Sequence, residues 1–84
     1  METPSHIFPL HLLPIGEQGT VAALTSSGIQ RRRMLDLGLI SGTRVEALQR
    51  SPSGDPVAYF IRGAVIALRQ EDAQQILVTS LLAP

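Results

Sequence analysis

From Thr43 onward, apolar and polar residues interleave with a period of two, and clusters of glycine and proline interrupt the pattern. That is the signature of short, half-buried β-strands. Thr43–Gln49 sets Val45 and Ala47 on one face and Arg44 and Glu46 on the other. Ser51-Pro52-Ser53-Gly54-Asp55-Pro56 is a dense turn, because neither proline has an amide to give a central strand. Val57–Arg62 and Ala64–Arg69 read as two strands joined by a tight corner at Gly63, the second with Ala64, Ile66 and Leu68 inward. Gln70–Gln75 is polar apart from Ala73 and suits a single helical turn, and Ile76–Thr79 reads as the closing strand.

Upstream the period changes. Thr20–Thr25 reads as a strand with Val21 and Ala23 on one face and Leu24 off pattern. Ser26-Ser27-Gly28 breaks it and offers a hydroxyl N-cap to the next element. Ile29–Leu37 follows helical spacing, with Ile29, Met34 and Leu37 on one broad face and Arg31 and Arg32 outward. Gly38 is the stop, since a left-handed position after a helix is sterically free for glycine. Asp36 opposes the helix dipole, so it is expected to pair with Arg32 or Arg33 or to hold the following loop.

Residues 1–9 read as a disordered or extended lead-in, 10–80 as the folded domain and 81–84 as a tail. The expected fold is mainly β with one helix: a small, closed or half-closed five-stranded barrel with a helical insertion after the first strand. Closure of a sheet this small would remove its exposed edges. Gly38, Gly42, Gly54 and Gly63 are expected to be structural, each at a turn or helix end.

Composition narrows the function. At 84 residues and 9.0 kDa the chain is one domain. The absence of cysteine excludes disulfides, thiolate metal centres and thiol chemistry. Seven basic residues, all arginine, balance seven acidic ones, which argues against a general nucleic-acid binder. The longest unbroken apolar runs, Val57–Ile61 and Ala64–Leu68, fall far short of the roughly 20 residues a spanning helix needs. Glu2 stands where a signal peptide would carry positive charge. A cytoplasmic location is expected, with any membrane contact made through a partner and no direct insertion.

Catalysis is not expected. His6 lies in the N-terminal lead-in and His11 just after it, away from any rigid element or orienting group, and too few donors surround them for a metal site. Glu71 and Asp72 are adjacent, so they diverge on a helix and suit its N-terminal dipole better than acid–base work. No phosphate-cradling loop is present. No catalytic residue, metal ligand or cofactor is assigned. The Arg31-Arg32-Arg33 run reads as a solvated helix face, a nucleic-acid contact or a protein-docking patch. Three aromatics make a thin stacking platform for nucleic acid. Docking gains from Leu39 and Ile40 in a glycine-bounded loop, because two large aliphatics are costly to expose unless covered. The competing role for one or both is to plug the end of the barrel, which is the favoured reading for Leu39.

The string Arg33-Met34-Leu35-Asp36-Leu37-Gly38-Leu39-Ile40-Ser41-Gly42-Thr43 resembles the helix–glycine–loop signature of the FeoA family, the small cytosolic component of bacterial ferrous-iron transport. Gly54-Asp55-Pro56 resembles its hairpin turn, Ile61-Arg62-Gly63 its tight corner, Ile66 through Ala73 its strand-to-helix stretch and Ile76-Leu77-Val78 its closing strand. Ser41 stands where proline is common and Asp72 where glutamate is common. The resemblance implies an SH3-like barrel without enzymatic activity that supports the FeoB membrane transporter, whose cytosolic portion binds GTP. On that reading the partner-binding residues are Arg31 and Arg32, which steer, and Leu35, Leu39 and Ile40, which supply apolar contact. Two alternatives stay open: a free-standing relative of the C-terminal domain of metal-dependent repressors, and a small nucleic-acid-binding barrel. Weak self-association through free strand edges also stays open.

Overall fold

The computed structural model describes residues 6–80. Six strands form one antiparallel sheet: β1 (Ile7–Pro9), β2 (Gln18–Leu24), β3 (Arg44–Arg50), β4 (Val57–Ile61), β5 (Ala64–Leu68) and β6 (Ile76–Ser80). Helix α1 (Gly28–Asp36) lies between β2 and β3, and the short α2 (Gln70–Ala73) between β5 and β6. Mainly β with one longer helix is the architecture that the alternation predicts. Two details differ. The sheet has six strands, because residues 7–9 of the expected lead-in pair with β6 as Ile7–Thr79, Phe8–Val78 and Pro9–Leu77. The hydrogen-bonded order is β1-β6-β2-β3-β4-β5, so of the closed or half-closed forms expected, the ladder is not fully closed: among the described residues β1 and β5 are its edges. A 3-10 turn at Leu10–Leu12, which follows β1, packs against α2, which follows β5. Residues 1–5 and the expected 81–84 tail lie outside the described residues.

The core is filled from the inward positions of β2, β3, β4 and β6 (Val21, Val45, Ala47, Tyr59, Ile61, Ile76 and Val78), together with Leu10, Leu13, Met34 and Leu39. Gly19 is buried where β2 crosses β6, and a Cβ there would lie 2.9 Å from the Thr79 carbonyl oxygen. Only glycine permits that approach. The β4–β5 hairpin turns on Arg62 and Gly63, with φ of +49° and +84°. Two left-handed residues in a two-residue turn match the twist of the flanking strands. Gly38, Gly42 and Gly54 also adopt left-handed φ, as their turn positions require.

Four local expectations are corrected. A bulge between Val21 and Ala23 shifts the register against β6, so Ala23 turns out to solvent and Leu24 packs against the core. On α1 only Met34 is buried, while Ile29 is 81% exposed and Leu37 also faces solvent. The helix buries little more than Met34, so its wider apolar stripe is left uncovered. Neither serine caps α1: the Ser27 hydroxyl makes no cap bond, and Ser26 Oγ donates instead to Met34 Sδ at 3.3 Å. Asp36 forms no ion pair or side-chain hydrogen bond among the described residues.

Tyr59 is buried, and burial pushes its phenol above the ordinary tyrosine value, with Arg50 opposing and Asp55 adding to the shift. The folded state therefore holds this proton more tightly than the unfolded chain. Stability should be full below about pH 10, the unfolded value, and should fall as pH rises through the folded value. With no cysteine or lysine, and no other tyrosine, Tyr59 dominates side-chain titration in that range. Tyr59→Phe should abolish the alkaline slope in urea-unfolding free energy, and phenolate absorbance of the wild type should report the raised value. Leu39 is fully buried, so Leu39→Ala should cost about 2–5 kcal/mol in the same assay. Ile40→Ala, at an exposed site, should stay within about 0.5 kcal/mol.

Candidate docking ridge and its grooves

The loop from Gly38 to Thr43 leaves α1 and enters β3 through a set of internal hydrogen bonds. The Leu39 amide donates to the Met34 carbonyl at 3.0 Å, and the Thr43 amide to the Ile40 carbonyl at 3.0 Å. The buried Thr43 hydroxyl donates to the Gly38 carbonyl at 2.8 Å. Two further bonds staple the loop to β2: the Gly42 amide donates to the Val21 carbonyl and the Val21 amide to the Thr43 carbonyl, both at 2.8 Å. Leu39 points into the core and Ile40, 46% exposed, points out. The result is a braced ridge with an aliphatic side chain at its crest.

A groove lies on each side of that crest. The first, about 370 Å³, runs between α1 and β2 and is lined by Ala22, Leu24, Arg31, Leu35 and Ile40 among others. The Arg31 guanidinium is steadied there by a long bond, 3.5 Å, to the Leu24 carbonyl. The second, about 570 Å³, lies over the outer face of β3 and β4, with Gln18, Arg44, Glu46, Phe60 and Arg62 in its lining. Its one carboxylate, Glu46, accepts from Gln18 Nε2 at 3.3 Å. Neither groove contains a histidine or pairs a nucleophile with a base.

The structure brings Arg31, Leu35 and Ile40 together on one groove wall. Arg32 is exposed but lines neither groove. Leu39 is corrected from surface contact to core: at full burial it forms the floor under the ridge and offers a partner almost no area. The residues of the second groove were not singled out from the sequence. The alternation Tyr59-in, Phe60-out was the signal that could have marked it.

Elsewhere the chemistry is sparse. His6 stacks against Phe8 with ring centroids 5.5 Å apart. His11 Nδ1 is buried without a hydrogen-bond partner. Among the described residues no three histidine or acidic side chains gather as metal ligands would. Glu71 and Asp72 sit in the first turn of α2, where their charge suits the dipole, and Asp72 Oδ1 also accepts from Gln30 Nε2 of α1.

Comparison with known proteins places this geometry. A manganese-dependent transcriptional repressor is 25% identical with a TM-score of 0.81, over 94% of this chain and 44% of that one. A Stenotrophomonas maltophilia FeoA, described as an SH3 domain protein, shares the fold at 24% identity and a TM-score of 0.77, over 84% of this chain and 88% of that one. The solution structure of a FeoA-like protein from Clostridium acetobutylicum is 29% identical with a TM-score of 0.86, covering 98% of this chain and 94% of that one. In sequence the chain is 35% identical over 64 residues to the Fe(2+) transport protein A/Fe(2+) transporter FeoB fusion protein of Porphyromonas gingivalis. That match covers 76% of this chain, which spans only 8% of the length of the fusion protein. The FeoA domain model matches residues 8–80, nearly the whole sheet from β1 to β6, and on that match the chain belongs to the FeoA family.

Proposed function

We propose that this chain is a non-catalytic accessory protein of bacterial ferrous-iron transport that binds the cytosolic, GTP-binding portion of a FeoB-type transporter. The observation that carries the reading is the fusion in Porphyromonas gingivalis, where a segment similar to this chain and a FeoB transporter share one polypeptide. Fusion raises the effective concentration of one part around the other, which is useful when the two must meet. Among the described residues no helix is long and apolar enough to cross a membrane. On this reading the chain sits at the cytoplasmic face of the inner membrane, held there by its partner.

The ridge suits the task. Its hydrogen bonds hold Ile40 in place before binding, so little conformational entropy remains to be lost. Ile40 and the half-buried edge of Leu35 supply apolar area, and Arg31 and Arg32 steer and orient the approach. No reaction is assigned to either groove.

Burying an aliphatic side chain of this size is worth roughly 1.5–3 kcal/mol. Ile40→Asp should therefore weaken binding to the purified cytosolic domain of the transporter at least about tenfold in biolayer interferometry, with thermal stability unchanged. Arg31→Glu should mainly slow association and flatten its salt dependence. Wild-type affinity in Ile40→Asp would remove this face from the proposal.

A further inference from the structure

The second groove has a chemistry of its own. Register places Gln18 opposite Glu46, Glu46 opposite Phe60 and Phe60 opposite Val65, so one row of side chains crosses β2, β3, β4 and β5 on the solvent side of the sheet. Phe60 is 43% exposed and Val65 64%. Closer to the ridge the next row carries Arg44, opposite Thr20, and beyond the end of β4 the turn residue Arg62. The aliphatic stem of Arg62 lies against Gly38, filling the space where any Cβ would go. That contact lays the side chain over toward the ridge. Neither the Arg44 nor the Arg62 guanidinium has an ion-pair or hydrogen-bond partner among the described residues. The groove thus has an aliphatic wall at Ile40, an aromatic wall at Phe60 and two unpaired guanidinium groups against the single carboxylate of Glu46.

We infer that this groove takes an acidic peptide segment that carries a large apolar side chain. The apolar group enters between Ile40 and Phe60, and flanking carboxylates meet Arg44 and Arg62. Guanidinium–carboxylate pairs are strong and directional, and at a solvent-open groove they are weakened by salt. A nucleic acid fits less well: Glu46 repels phosphate, one exposed aromatic cannot stack a strand, and the chain has no net positive charge. The inference rests on the reading of the Ile40 ridge as the docking face. It adds the groove on the ridge's other side and the chemistry of the contacting segment.

The test is fluorescence anisotropy on the full chain with a labelled peptide in which a leucine–phenylalanine pair is flanked by glutamates. The controls are the same peptide with lysine for glutamate, and oligothymidylate. Saturable binding of the glutamate peptide is expected, falling with added salt and about tenfold weaker in both Arg44→Glu and Phe60→Ser. Both side chains are exposed, so each variant should keep the wild-type thermal midpoint. No saturable binding, equal binding of the lysine peptide, or tighter binding of oligothymidylate would overturn the inference. The same variants on the transporter's cytosolic domain separate the two proposals. Loss with Ile40→Asp but wild-type affinity with Arg44→Glu overturns this groove alone. Arginine-dependent peptide binding without any binding to the transporter domain overturns the partner and leaves the groove standing.

Discussion

Leu39 and Ile40 cannot both enter the core. They are consecutive in a loop that is bonded to itself at Gly38 and Thr43 and to β2 at Val21, so one must point in and the other out. Leu39 takes the inward place, fully buried beside Met34 in the main cluster. Its burial holds the loop down, and the same backbone then lifts Ile40 to the crest. The core contact and the surface feature are two consequences of one constraint. The ridge can be rigid because its underside is part of the hydrophobic core.

The sheet is managed in a similar economy of means. A six-stranded open order leaves two edges, and the chain treats them differently. β1 is three residues long and ends in Pro9, which has no amide to offer another strand. Between the edges, the turn at Leu10–Leu12 meets α2, and the Asp55 carboxylate accepts from the Gln70 amide at the start of that helix, at 2.9 Å. Charge is distributed with the same unevenness. The chain has no net charge, yet Arg31, Arg44 and Arg62 line the two grooves against a single carboxylate.

A fold of this kind does not name a function, since the same sheet serves a manganese-dependent repressor and a FeoA-like protein. What differs between such proteins must reside in the exposed positions. In this chain those are an aliphatic crest, arginines without partners and an outward aromatic. Neither groove pairs a nucleophile with a base.

The sequence by itself determined the strands from Thr43 onward, the helix stop at Gly38 and the turns at Gly54 and Gly63. These depend on period-two alternation and on backbone conformations that few residues adopt, both of which are local. It also marked the loop at Leu39 and Ile40 as the place to look. The sequence favoured Leu39 as the core member of that pair, and the tertiary structure decided it, because burial depends on what lies opposite. Tertiary structure alone decided that Ile29 and Leu37 stay exposed, because an apolar stripe is buried only as far as a neighbour reaches. It turned Ala23 outward through a bulge set by the pairing with β6, and it drew residues 7–9 into the sheet through a partner roughly seventy residues away. Alternation states which residues share a face; only the assembled sheet states which face is covered.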